Sequence, residues 1–451
     1  MNIIIAIWVA KAVMVVSRLF GKKGSSAPGA IALKIAPSIL KVLSAQIKQE
    51  IIVVCGTNGK TTTNNMLGAL LQKSGKKTVC NLVGANMVMG IATAFIDASD
   101  LFGKVDADFA ALEIDEASAM IVFDHLTPHK IVITNLFRDQ LDRYGEIDIT
   151  MRYLQRALVK APKAKLILNG DDPLTAFFGY KSTHACEYFG VAEDAYIARD
   201  EAKEGRFCTH CGSELQYHYF HYSQLGDFYC NACDFCRPPL QFAAINLYFS
   251  NGIAFDLKMG DSTLPIAVNY RGFYNIYNIL AAVAPALLCG VSHEVVNAVL
   301  LAYKPQIGRM ESFALQKPLV LNLSKNPAGF NQAITTVLQD PRPKNVMVVI
   351  NDNAQDGKDI SWIWDVDFER LNVDTISHFV LSGVRKEDVA VRMKHALIKR
   401  PRITMEGDLK LALQKLLSLK GEVCYVLVNY TALFETQNIL KALEKERGNH
   451  A

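Results

Sequence analysis

The chain of 451 residues lacks a dominant sign of charge: 48 Lys and Arg stand against 44 Asp and Glu, a formal net charge of +4. So even a balance excludes the dense basic face that phosphate-backbone binding needs, and no nucleic-acid partner is expected. Long apolar runs are also missing. The N-terminal one, Ile3 to Val16, covers only 14 positions with Lys11 inside it, where a spanning helix takes about 20. A secretory signal carries its basic residues before the apolar stretch, whereas here Arg18, Lys22 and Lys23 follow it. The run therefore predicts a helix packed on the protein body or one lying on a membrane surface, with a cleaved signal as the third alternative. A cytoplasmic protein is expected, peripheral at the inner face of the plasma membrane in the second case. Ten cysteines are too sparse for a disulfide scaffold in so long a chain, although four of them form two CxxC pairs. Charged residues make up 20% and hydrophobic residues 50%, which excludes wholesale disorder. No internal repeat or low-complexity tract is found.

What is present is an alternation of short apolar runs with helix-like stretches. Ile51 to Cys55 enters a glycine turn and then Thr61 to Lys73; Phe109 to Ile114 ends in acidic residues. Lys130 to Thr134 ends at Asn135, and Lys165 to Leu168 ends at Asn169-Gly170-Asp171-Asp172. Strands that alternate with helices and end in polar residues form a parallel sheet with its ligands at the strand C-termini. Gly21 to Gly29 reads as a linker, residues 203–240 as an insertion, and Tyr270 to Gly290 as a long helix. From Ser312 a second α/β rhythm begins, with strands expected at Val346–Ile350, Ile376–Leu381 and Val423–Val428.

Cys55 to Thr63 reads CGTNGKTTT. Backbone N–H groups of a glycine turn at a helix N-terminus surround phosphate oxygens, and the helix dipole adds positive potential. Gly56, Thr57, Asn58, Gly59, Lys60, Thr61 and Thr62 are the expected nucleotide-binding residues. Lys60 would neutralise the β- and γ-phosphates and the Thr61 hydroxyl would ligate Mg²⁺. The first glycine of the general phosphate-loop pattern is replaced by Val54.

Cys208-Thr209-His210-Cys211 and Cys230-Asn231-Ala232-Cys233 are separated by 18 residues, the spacing of a structural zinc ribbon. Four thiolates close a tetrahedral Zn²⁺ shell and leave no open position for catalysis. Cys236 is a possible substitute ligand.

The loop and several later segments resemble the Mur ligases, the ATP-dependent amide ligases of peptidoglycan synthesis. These segments are Glu113-Ile114-Asp115-Glu116, Asn135 with Asp139-Gln140-Leu141-Asp142, Asn169-Gly170-Asp171-Asp172-Pro173, Gly272 to Asn278 with Ala281-Ala282, and Gly308-Arg309-Met310-Glu311. The resemblance implies an α/β fold. A segment 1–44 of helix and linker would precede a central P-loop ATPase domain, 45–311, holding the zinc-ribbon insertion 203–240. A Rossmann-like α/β C-terminal domain, 312–451, would follow. It implies ATP and Mg²⁺, with Glu113 on Mg²⁺, Asn275 near the base and Arg309 near the phosphates or ribose. Gln140 stands where the family usually has His, which puts a second Mg²⁺ site in question.

These departures, the run NLFRDQLDRYGE and the cysteine insertion are similar to the branch of the family that serves as synthetase subunit of lipid II isoglutaminyl synthase. That likeness implies amidation of the α-carboxyl of D-glutamate in the lipid II stem peptide, through an acyl phosphate, to D-isoglutamine. It also implies a heterodimer with a glutaminase subunit resembling GatD. No cysteine of this chain stands in a glutaminase-type GxCxG elbow, so ammonia has to come from elsewhere. Asn351 to Asp359 follows a predicted strand and is either an ordinary surface turn or, by the resemblance, the docking point of that partner. There Asp356, or as second choice Asp352, would orient the partner's catalytic His. A Mur- or folylpolyglutamate-type ligase adding an amino acid and a non-catalytic ATP- and zinc-binding scaffold are the alternatives.

Overall fold

β-branched runs that stay apolar on both faces make fully buried parallel strands, and this sequence builds two sheets from them. The computed structural model describes every residue except Met1, 21–23, 82–83, 139–146, 196–204, 250–251, 305–307, Arg309, Ala354 and 449–451. Its contacts divide the chain into two compact units. The first holds residues 1–137, 147–269 and 274–303; the second holds Arg138, 270–273 and 304–451.

The first unit carries a nine-stranded sheet. In chain order its strands are β1 (Glu50–Cys55), β2 (Thr78–Cys80), β3 (Phe109–Glu113), β4 (Lys130–Ile133), β5 (Lys165–Asn169) and β6 (Cys186–Val191). After a separate hairpin, β7 (Leu215–Tyr222) and β8 (Leu225–Cys230), the sheet resumes with β9 (Phe242–Phe249), β10 (Ile253–Met259) and β11 (Ser262–Val268). The spatial order is β11-β10-β9-β6-β5-β4-β1-β3-β2. Pairing is parallel from β2 to β9, in register Val53 with Leu112 and Cys55 with Ile133. β9, β10 and β11 form an antiparallel edge that the sequence reading did not anticipate. β1 lies between β3 and β4, so the loops after these three strands open at one C-terminal edge, the place where such sheets bind ligands.

Helices cover the sheet. Asn2–Leu19 buries Ala6, Ile7, Ala10 and Met14 in the core, which places the N-terminal run on the protein body. The expected linker is corrected in part: residues 21–23 lie outside the described residues, but Ala27–Gly29 open the helix Ala27–Ile35. Gly29 is needed there for close packing. Its N–H donates to Thr93 Oγ1 at 2.9 Å, and a Cβ would sit 1.9 Å from the Met89 carbonyl oxygen.

The second unit is a six-stranded sheet of β12 (Glu311–Ala314), β13 (Pro318–Leu323), β14 (Lys344–Val349), β15 (Ile376–Ser382), β16 (Ile403–Met405) and β17 (Val423–Val428). They run in the order β12-β13-β17-β14-β15-β16, all parallel except β12. One face packs Phe330, Trp362, Phe368 and Met393; the other packs Leu413, Leu416, Leu433 and Leu440. This is a doubly wound layer with helices on both sides.

Gly29→Val is expected to lower the unfolding free energy by about 2–3 kcal/mol through overpacking against backbone that cannot yield. Urea denaturation of the two proteins checks this, and an unchanged midpoint contradicts the packing role.

Candidate active site

The turn after β1 is shaped by two glycines. Gly56 has φ 123° and Gly59 φ 84°, both unfavourable for other residues. A Cβ on Gly56 would lie 2.3 Å from Thr134 Oγ1, and one on Gly59 2.0 Å from Asn278 Oδ1. Gly59 precedes the helix Lys60–Lys73, whose first N–H groups have no partner within the helix and point into the turn. The loop is pinned from behind by the residues after β4. Thr57 N–H donates to the Asn135 carbonyl at 2.8 Å, and Asn58 N–H donates to Asn135 Oδ1 at 2.9 Å. Thr134 Oγ1 donates to the Asn58 carbonyl at 2.8 Å.

Lys60 is folded over this loop. Its Nζ donates to the Gly56 carbonyl and, at 2.8 Å, to Glu116 Oε1, which also accepts the Gly56 N–H at 2.8 Å. Burial works to lower the Lys60 pKa, but attraction to Glu116 and Asp115 outweighs it and the shift is upward. Lys60 is therefore a fixed cation, and a carboxylate oxygen sits where loop donors converge. Sequence reasoning missed Glu116; its signal was a third acid in Glu113-Ile114-Asp115-Glu116. Glu113 ends β3, is 5% exposed, and accepts from Asn86 Nδ2 at 3.2 Å. Thr62 is buried and Thr61 half-buried at the helix start. Asn275 is linked to the loop through Asn278: its Oδ1 accepts from Asn278 Nδ2 at 3.0 Å, and Asn278 is the residue against Gly59. Gln140 and Arg309 lie outside the described residues.

The cysteine insertion folds into the β7–β8 hairpin with its four thiols together. The Sγ atoms of Cys208, Cys211, Cys230 and Cys233 lie within 4.8 Å of one another, with Cys208–Cys233 at 3.6 Å and Cys211–Cys230 at 3.5 Å. A tetrahedron with Zn–S of about 2.3 Å has edges of about 3.8 Å, so the donors fit a zinc ion. The turns fit as well. Gly212, just after the first pair, has φ 78°, and Ala232 N–H donates to Cys230 Sγ at 3.4 Å. Hydrogen bonding from Ser213 brings the Cys211 thiol down to about 6, which favours the thiolate a metal requires. Cys236 is exposed and outside the cluster, so it is not a substitute ligand.

The far end of this hairpin reaches the strand-end loops. Gln224 Nε2 donates to the Leu136 carbonyl at 2.7 Å and to Asp172 Oδ1 at 3.3 Å. The Leu136 N–H donates to Asp172 Oδ2 at 2.8 Å, and the next residue, Phe137, exchanges hydrogen bonds with Thr57 Oγ1 at 3.0 and 3.1 Å. The hairpin thus holds the segment that holds the phosphate loop. Asp171 accepts from Tyr277 Oη at 2.8 Å, Arg237 at 3.2 Å and the Val191 N–H at 2.7 Å.

In the second unit, Asp356 follows β14 and is 5% exposed. Its Oδ1 accepts from the Thr431 N–H at 2.9 Å and its Oδ2 from the Thr431 hydroxyl, so it anchors the start of the helix Tyr430–Gly448. Burial raises its pKa against the opposing effect of those bonds. Asp352 is more open and accepts from Arg385 NH2 at 2.7 Å.

Comparison with known proteins agrees with this geometry. Residues 54–231 match the Mur ligase middle domain and residues 323–433 the MurT ligase C-terminal domain. Two curated relatives are named lipid II isoglutaminyl synthase (glutamine-hydrolyzing) subunit MurT. The one from Staphylococcus aureus is 36% identical over 95% of both chains, and the one from Streptococcus pneumoniae 36% identical over 94% of both. This chain belongs to the MurT family of Mur ligases.

Solved structures share the fold. A pseudomurein peptide ligase type C from Methanothermus fervidus has TM-score 0.67 and 23% identity, covering 89% of this chain and 80% of its own. MurF ligase from Thermotoga maritima in complex with ADP has TM-score 0.66 and 14% identity, covering 93% and 85%. The expected α/β Mur-ligase fold is therefore present, and the MurT chain is a ligase.

Metal analysis of the purified protein is expected to find one zinc per chain, retained in Cys236→Ser and lost in Cys211→Ser. A zinc content unchanged by Cys211→Ser contradicts the four-thiolate assignment.

Proposed function

We propose that this MurT chain is the ATP-dependent synthetase subunit that amidates the α-carboxyl of D-glutamate in the lipid II stem peptide. The end-to-end likeness to MurT chains carries this reading, and the phosphate loop supplies its chemistry. A carboxylate resists attack by an amine because its carbon is electron-rich and its leaving group is poor. Transfer of the γ-phosphoryl group of ATP to a carboxylate oxygen gives an acyl phosphate and ADP. Ammonia then attacks the carbonyl carbon, phosphate leaves with that oxygen, and a carboxamide remains.

In this reading Lys60 and the N–H groups of Gly59 to Thr62 bind the β- and γ-phosphates and neutralise charge that develops in transfer. The Thr61 hydroxyl and the Glu113 carboxylate would hold Mg²⁺, which would supply neutralisation of the charge that develops in phosphoryl transfer. Asn278, bonded to Asn275, closes the loop at Gly59. Glu116 has to surrender Lys60 as phosphate enters, so its carboxylate keeps the loop arranged when no nucleotide is bound. Zn²⁺ is structural, and its hairpin steadies the Leu136–Phe137 segment through Gln224.

Ammonia is assigned to a separate glutaminase resembling GatD. Asp356 is the residue proposed to orient the partner's His, with Asp352 the second choice. Both Asp356 oxygens accept from Thr431, but a carboxylate has further lone pairs, and its anchoring fixes the direction in which they point.

Lys60→Ala is expected to lower lipid II-dependent ATP hydrolysis by at least about 10²-fold while the glutaminase still copurifies. Undiminished amidation by this variant supports a scaffold instead. Asp356→Asn is expected to abolish amidation driven by glutamine and to spare amidation driven by added ammonium. Loss of the helix anchor costs about 1 kcal/mol, visible as a lower melting temperature. If both nitrogen sources still work, Asp356 is not the orienting residue.

A further inference from the structure

The outward side of the N-terminal helix is apolar between Asn2 and Arg18, the two exposed polar residues near its ends. In a helix that packs on a protein body, one face is apolar and the other is ordinarily charged. Asn2–Leu19 turns Ala6, Ile7, Ala10 and Met14 inward. At helical spacing on the opposite side, Ile5, Trp8, Val9, Ala12, Val15, Val16 and Leu19 are all exposed. Trp8 is 52% exposed, Leu19 80% and the following Phe20 78%. The stripe continues onto a second element. Trp8 Nε1 donates to the Leu101 carbonyl at 2.8 Å, and Lys11 Nζ donates to the Ser99 carbonyl at 2.7 Å. These contacts bind the helix to a tight turn in which Asp100 Oδ1 accepts the N–H groups of Phe102 and Lys104. That turn holds Leu101 and Phe102 outward, Phe102 at 76% exposure. A contiguous apolar surface with two aromatic corners is not left bare on a soluble protein without a partner.

Charge identifies the partner. Residues 1–49 contain seven Lys and Arg and no Asp or Glu, and residues 97–106 beside them add Lys104 against Asp97, Asp100 and Asp106. The two segments together keep an excess of positive charge even though Arg18 pairs with Asp97 at 3.3 Å and Lys48 with Asp106 at 2.5 Å. Basic residues around an apolar face bearing Trp and Phe are complementary to an anionic bilayer, whose headgroups attract the cations while its acyl boundary takes the apolar side chains. We propose that this helix and the 99–104 turn dock the enzyme on an anionic phospholipid surface, lying along it. The helix is long and apolar enough to cross a bilayer, but its inward residues belong to the protein core, which holds it at the surface. Docking deepens the lipid II reading, since a lipid-linked substrate is met at a bilayer, but it stands on the exposed face alone.

The test is cosedimentation of the full chain with vesicles of phosphatidylglycerol and phosphatidylcholine, compared with phosphatidylcholine alone, none containing lipid II. Binding is expected to the anionic vesicles, to fall steeply with salt, and to be released by alkaline carbonate. The double variant Leu19→Ser, Phe102→Ser is expected to bind at least about tenfold more weakly, with the melting temperature and ATP binding of the parent. Absence of binding, binding indifferent to these substitutions, or carbonate-resistant insertion overturns docking along the surface. So does salt-independent self-association through this face without vesicle binding. Amidation of detergent-solubilised lipid II is measured separately, so a failure of docking and a failure of the substrate assignment are read apart.

Discussion

A lysine ammonium folded over a glycine loop needs an anion, and here one carboxylate oxygen, Glu116 Oε1, meets both Lys60 Nζ and the Gly56 N–H at 2.8 Å. The rest of the site is arranged around that constraint. The loop cannot relax outward because Asn135 holds Thr57 and Asn58, and it cannot accept side chains because Thr134 and Asn278 fill the space a Cβ would take at Gly56 and Gly59. In the proposed reading, preorganisation of this kind would let a phosphate replace an internal carboxylate with little rearrangement of the backbone, which is where a ligase gains from fixed dipoles.

The same loop explains why a hairpin with four clustered thiols belongs in this ligase. A hairpin with so small a buried cluster, Cys208, Leu215, Phe228, Cys230 and Phe235 with Ala176 from outside it, has little packing to hold its shape. Its four thiols stand where a metal would supply what the core does not. Its stiffness is transmitted through Gln224 to Leu136 and Phe137, and from there to Thr57. Distance from the chemistry therefore does not make the cysteines dispensable to it.

Much of this was legible in the sequence because the signals are local. The buried parallel strands are β-branched runs, the glycine turn precedes a helix as its pattern requires, and paired CxxC motifs state their own chemistry. What was not legible depends on partners distant in the chain. Asn278 rather than Asn275 faces Gly59 because of the phase of a helix some two hundred residues downstream. Glu116 acts across the loop onto a lysine 56 residues earlier. Asp356 reads as an exposed loop acid, yet it is drawn inward by Thr431, 75 residues later. The antiparallel edge from Phe242 to Val268 does carry a local signal, since Ile253, Phe255 and Leu257 are buried and alternate with Ala254, Asp256 and Lys258. These strands have one polar face, however, and so lack the continuous apolar runs that mark the parallel strands.

The most direct measurement follows oxygen. Lipid II labelled with oxygen-18 in the α-carboxyl of D-glutamate is turned over with ATP and ammonium, and the released phosphate is examined by mass spectrometry. Activation through an acyl phosphate carries label from the carboxylate into inorganic phosphate, in step with ADP and carboxamide formed. Unlabelled phosphate alongside amidated product, or release of AMP in place of ADP, contradicts the mechanism on which the roles of Lys60, Thr61 and Glu113 rest.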